Sequence, residues 1–207
     1  MKCRQHTKGF TIVELLIVIV VIGILATITI VAFNGIQDRA KNTNRVQAAL
    51  AYHKIIKSYI TNRGAYPLAV GATTTYCLGE GYPDLNADGT VDDCFATNNV
   101  KKVSAGLNSE LRKEVASLPN YDKEVIYGTG TVGNLGVGYR GITIDGQAGR
   151  IGLFYYLKGT SIDCGTSELI VSDGSGGYVP AASGATFTST SSGVTTCVLP
   201  VPDPATL

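Results

Sequence analysis

Histidine is scarce in this chain of 207 residues, which has two, and tryptophan is absent. One histidine, His6, lies in a short basic N-terminal stretch, and the other, His53, falls on the apolar face of a helical pattern, where it reads as a core residue. No histidine base is therefore left to activate a nucleophile, and no GxSxG elbow or paired His and Cys constellation occurs. Hydrolase and transferase chemistry has no residues to stand on, and the chain is expected not to be an enzyme. Charge of one sign is also lacking. The formal net is +1, and the basic residues form no stripe that could track phosphates, so there is no nucleic-acid motif. Seven prolines, none before Pro67, and 25 glycines without a short period exclude collagen-like or disordered classes. No CxxC pair is present, which argues against a zinc site or a thioredoxin-like centre.

What is there begins at the N-terminus. Residues 1–9, MKCRQHTKG, are basic and run directly into FTIVELLIVIVVIGILATITIVAF. From Phe10 to Phe33 the only charge is Glu14. As a helix this stretch would measure about 36 Å, enough to cross a hydrocarbon core of about 30 Å. Lys2, Arg4 and Lys8 place its N-terminus on the cytoplasmic side. An ordinary secretory signal would have a shorter apolar run, a small-x-small cleavage site and no carboxylate. A carboxylate within a membrane span marks a functional position.

The stretch KGFTIVELLIVIVVIGILATI resembles the class III signal of type IV pilins and pseudopilins: a basic leader, Gly, an aromatic residue, and Glu at the fifth position after cleavage. The resemblance is close over residues 8–35, with a looser echo in GAYP at 64–67. It implies cleavage between Gly9 and Phe10 by a prepilin peptidase, N-methylation of Phe10, and a role for Glu14 with Phe10 in methylation and assembly. The pattern departs from many pilins in having no proline in the helix; Gly23 and Asn34-Gly35 are the weak points that remain. Loss of the leader removes three of the 17 basic residues, leaving 14 against 16 acidic ones, so the remainder is mildly acidic.

Beyond residue 34 the helical pattern continues to residue 62. Ile36, Ala40, Thr43, Val46, Leu50, His53, Ile56 and Ile60 fall on one face, with Gln37, Asp38, Lys41, Arg45 and Lys57 expected outward. Gly64 and Pro67 supply the stop. In residues 63–207 a second helix is expected over Ser104–Leu118, then strands over residues 124–127, 135–144, 150–157, 168–171 and 195–199, with an extended tail at 200–204. The expected fold is α+β: a long N-terminal helix, membrane-spanning over 10–33 and amphipathic over 34–62, packed on a C-terminal antiparallel sheet.

Without Cys3 of the leader, four cysteines remain, an even number that suits an oxidising compartment. Three pairings are possible; order along the chain favours Cys77 with Cys94 and Cys164 with Cys197. Residues 84–94, DLNADGTVDDC, resemble the first nine positions of a calcium loop, with Asp84, Asn86, Asp88, Thr90 and Asp92 as candidate ligands and Gly89 at the sharp turn. Phe95 stands where a bidentate Glu would be, and the alternative is a plain polar turn. Residues 128–133, GTGTVG, match GxGxxG but precede a strand pattern, not a phosphate-binding helix.

The expected role is a structural subunit of a type IV pilus-like filament serving adhesion, twitching motility or DNA uptake. Its expected partners are further copies of itself, other pilins, the prepilin peptidase, an inner-membrane assembly platform and the membrane, with surface filaments as the destination and no cofactor required beyond possible calcium. The alternatives are a pseudopilin of a type II secretion or competence system, a minor pilin, or a single-span surface protein that binds a ligand and never assembles.

Overall fold

A computed structural model describes residues 9–71, 74–84, 93–96, 101–127, 133–182, 189–191 and 193–207. The chain divides into two compact units, Met1–Ala40 and Lys41–Leu207.

One helix, α1 (Ile12–Arg63), contributes to both units. It runs through Gly23 and Asn34-Gly35 without a break, as its lack of proline permits. It stops at Gly64, whose φ of 66° is the left-handed conformation of a helix C-terminus and whose N–H bonds the Ile60 carbonyl at 2.8 Å.

In the outer unit, α1 buries Asn42, Arg45, Val46, Ala49, Tyr52, Ile56 and Ile60. The buried stripe is therefore turned relative to the sequence expectation. Thr43 is exposed, and Arg45, expected outward, is 3% exposed. A guanidinium is tolerated there because it is neutralised and bonded: Arg45 pairs with Asp122 at 2.5 Å and donates to Asn42 Oδ1 and to the Glu124 carbonyl. Neighbouring Asn42 donates to the Lys158 carbonyl at 2.8 Å and accepts from the Lys158 N–H at 2.9 Å. His53 is half-buried, its Nε2 3.0 Å from the Pro200 carbonyl.

The stripe packs on a mainly antiparallel sheet. Its long strands are β6 (Val137–Ile144), β7 (Gln147–Lys158) and β11 (Val194–Pro200). β1 (Thr75–Leu78), β8 (Ile170–Ser172), β9 (Tyr178–Pro180) and β10 (Ser189–Ser191) complete it. The order is β10-β11-β7-β6-β9-β8, with β1 also on β6. The contact of β6 with β9 is parallel, a single pair at Ile144 and Tyr178. Tyr139, Ile151, Leu153, Tyr155, Leu157 and Leu199 meet α1 in the main core. Alternate residues on the opposite face, Ile142, Ile144, Phe154 and Val198, form a second cluster with Ile170 of β8.

A smaller sheet of order β3-β2-β5-β4 joins β2 (Asp93–Ala96), β3 (Lys101–Lys102), β4 (Ile126–Tyr127) and β5 (Gly133–Asn134). The sequence pattern does not announce β1, β2 or β3. The second helix, α2 (Ala105–Leu111), is capped by Ser104, whose side chain accepts from the Leu107 N–H. It ends earlier than expected, in the tighter bonds from Lys113 N–H to Glu110 and from Glu114 N–H to Leu111. Val115 and Leu118 still pack on the core from a non-helical segment that leads to Pro119.

Disulfides join Cys77 to Cys94 and Cys164 to Cys197, with Cα–Cα separations of 5.8 and 5.9 Å. The first links β1 of the large sheet to β2 of the small one. The second ties the segment after β7 to β11. In the loop-entropy account such a bridge stabilises by about 2–4 kcal/mol.

Candidate assembly site at the helix N-terminus

The inner unit is built from side chains that nothing within it covers. From Phe10 to Phe33 the large apolar side chains that the structure describes are all exposed; Ile12 shows 87% and even Val21, the most covered of them, shows 47%. The helix is long and apolar enough to cross a membrane. Its few polar groups are satisfied internally, as a lipid environment demands: Thr27 Oγ1 donates to the Ile24 carbonyl at 2.8 Å, and Thr29 Oγ1 to the Ala26 carbonyl at 2.9 Å.

Glu14 sits in the first turn of α1. Its Oε2 accepts from the Thr11 N–H at 2.8 Å and from the Thr11 hydroxyl at 2.7 Å, while the Glu14 N–H donates back to Thr11 Oγ1 at 3.2 Å. This is a capping box, in which Thr11 at the N-cap and Glu14 three residues on satisfy each other's helix-end groups. Sequence reasoning that singled out Glu14 as a stranded carboxylate missed Thr11. The signal was present, since T-I-V-E is the S/T-x-x-E pattern. Among the described residues the carboxylate is thus hydrogen-bonded but has no cation partner. Phe10, whose nitrogen precedes Thr11, is 78% exposed, and a Cβ placed on Gly9 would meet nothing within 4 Å. The Gly9–Phe10 bond therefore lies in open space at the helix entrance.

Of the calcium-like loop, Asp84 is half-buried, while Asn86, Asp88, Thr90 and Asp92 lie outside the described residues. Most of GTGTVG also lies outside them, but it connects β4 to β5, which pair antiparallel at Ile126–Asn134 and Tyr127–Gly133.

The prokaryotic N-terminal methylation motif matches residues 4–30, the segment that holds Gly9, Phe10, Thr11 and Glu14. Among curated proteins, the chain is 29% identical over 115 residues to a type IV major pilin protein PilE1 of Neisseria gonorrhoeae, covering 54% of this chain and 67% of that protein. It is 35% identical over 104 residues to a type IV major pilin protein PilE of the same species, covering 48% and 62%. Over 64 residues it is 33% identical to the type II secretion system core protein G of Klebsiella michiganensis, covering 31% and 45%. The matches thus span from under half to about two thirds of these relatives' own lengths. No solved structure matches. A methylation motif at the head of an uncovered apolar helix, together with the likeness to type IV major pilins and a type II secretion core protein, supports a place for this chain in the type IV pilin and pseudopilin family.

Proposed function

We propose that this protein is the structural subunit of a type IV pilus-like filament, cut between Gly9 and Phe10 and N-methylated at Phe10. The observation that carries this reading is the pairing of an apolar helix without internal cover with a carboxylate at its entrance that, among the described residues, meets no cation. Before assembly the bilayer covers those side chains. In a polymer the helices of neighbouring subunits cover them, through repeated head-to-tail contacts of the kind that generate open helical assemblies. The amine released on Phe10 by cleavage is the cation then available to Glu14. An axially shifted neighbour can present its amine to the carboxylate, which couples processing to register. Within one subunit the Thr11 bonds hold Glu14 against its own helix end, so assembly exchanges or supplements a capping bond with an ion pair. The prepilin peptidase, an assembly platform and other pilins are the partners this reading requires, and its destination is the cell surface.

The likeness to a type II secretion core protein favours one further reading, a pseudopilin. Electron microscopy of sheared surface material, with intact-mass measurement of its subunits, tests both. Filaments made mainly of a chain beginning at methylated Phe10 are expected. Retention of residues 1–9 in surface material would overturn the processing step, and absence of the chain from sheared filaments would favour the pseudopilin.

A further inference from the structure

The outer unit holds five arginines, and four have a carboxylate partner: Arg45 with Asp122, Arg63 with Glu114, Arg112 with Glu80 and Arg150 with Asp203. Among the described residues Arg140 has no carboxylate partner. On β6, its side chain belongs to the sheet face opposite the one that α1 covers, since Tyr139 and Ile142 on either side of it enter the two different clusters. Its Nε is buried without a hydrogen-bond partner. Its guanidinium lies over the Phe154 ring, 5.2 Å from the centroid, and that ring is met edge-on by Tyr178 at 5.8 Å and 81°. The aromatic pair fixes the cation without neutralising it.

A cavity of about 170 Å³ opens at this arginine, with Thr143, Ser172 and Tyr178 in its lining. The acid in the adjoining turn, Asp173, is already engaged: its Oδ1 accepts from the Ser175 and Gly177 N–H groups at 2.8 and 2.9 Å. Ser172 Oγ accepts from the Gly174 N–H at 3.2 Å and keeps its own proton to donate. Burial holds the Tyr178 phenol above its ordinary value, so it too remains a neutral donor. The site therefore offers one planar cation, several hydroxyls and an aromatic flank.

We propose that the Arg140 cavity binds an acidic sugar residue through its carboxylate. The guanidinium fork matches a carboxylate in two parallel bonds, and a single half-buried cation calls for a single anionic charge. The hydroxyls of Thr143, Ser172 and Tyr178 suit a polyhydroxylated ring. The cavity is smaller than the roughly 300–1,000 Å³ of most ligand pockets, so it admits one sugar unit and not an extended chain.

The test is a titration of the full-length chain in detergent micelles with glucuronate, glucose and N-acetylglutamate, read from the Arg140 Nε–H resonance and from calorimetry. Glucuronate is expected to shift that resonance saturably while glucose does not. Arg140→Gln should weaken glucuronate binding about tenfold or more, the scale of a lost charged hydrogen bond. Should that variant fail to fold, Arg140→Lys keeps the charge without the fork and is expected to bind measurably more weakly. No saturable response to glucuronate, equal binding of glucose, or binding undiminished in the folded Arg140 variant would each overturn the proposal. N-acetylglutamate binding as tightly as glucuronate would overturn the sugar assignment in favour of a peptide carboxylate.

Discussion

The two units of this chain use one helix in opposite ways. From Ile12 to Phe33, the apolar side chains of α1 that the structure describes are exposed, and what stabilises them is whatever surrounds them. From Lys41 onward the same helix buries a stripe against a sheet of its own chain, with charged Arg45 paired inside it. In the proposed filament a hydrophobic surface is thus assigned to lipid and neighbouring subunits in the first case, and to folding in the second. Mutations that look alike on paper should separate accordingly.

The largest effect is expected at Glu14. Glu14→Val removes the one carboxylate of the apolar stretch while adding an apolar side chain, which membrane insertion accepts. We expect a cleaved, membrane-embedded protein whose filament yield falls by about tenfold or more, since leaving a buried charge without its partner costs several kcal/mol. Wild-type filament yield, in cells lacking another copy of the subunit, would end the ion-pair account. Thr11→Ala should do less, on the order of 1 kcal/mol, because it removes a cap and not the charge.

Next comes a matched pair of leucines. Leu153→Ala, at a fully buried position in the main core, should destabilise the outer unit by about 2–5 kcal/mol. Leu16→Ala, at a position 55% exposed, should leave the outer unit's thermal unfolding unchanged in micelles. Circular dichroism melts of the two variants check this, and a comparable loss in both would erase the distinction between the units.

A smaller effect concerns pH. The hydrogen bond and charge of Lys41 hold the Glu124 carboxyl below its ordinary value of 4.5, with Lys158 also nearby. A carboxyl lowered by folding contributes stability that is present above its unfolded value and lost as pH falls through the folded one. Melting temperature should therefore decline as pH drops below about 4.5, and Glu124→Gln should flatten part of that decline. The group is over a third exposed, so solvent screening keeps the contribution modest. An identical pH profile in the variant would assign the decline to other groups.

The smallest expected effect is that of calcium. If Asp84, Asn86, Asp88, Thr90 and Asp92 hold the ion, millimolar calcium should raise the melting temperature by a few degrees and Asp88→Ala should remove the response. No shift on adding calcium or chelator would leave the segment as a polar turn.

Much of this contrast could be read from residue order, because the N-terminal helix is governed by local rules. Its length, its single charge and its stop at Gly64 follow from hydropathy and cap chemistry. The long strands β6, β7 and β11 were legible for the same reason, as runs of β-formers between turns. β1, β2 and β3 were not, since their pairing depends on partners distant in the chain. The rotation of the buried stripe onto Arg45 was equally hidden: a charged residue reads as outward until Asp122, remote in sequence, arrives beside it. At the candidate site, Glu14 stood out by being charged, whereas Thr11 passed as an ordinary residue because its role exists only in relation to the helix end. Arg140 carried no sequence signal at all. Its isolation emerges only when the partners of the other arginines can be counted.

The clamp at Asn42 has a mechanical consequence. In the proposed filament, tension would be transmitted along the helices, and the first residues of the outer unit to receive it would be Lys41, Asn42 and Arg45. Asn42 grips both the N–H and the carbonyl of Lys158 at the end of β7, a strand paired on both sides by β6 and β11. Flanking it, Lys41 meets Glu124 and Arg45 meets Asp122. Force entering through the helix is thus spread over several bonds that must rupture together, and it reaches the sheet at its most heavily paired strand.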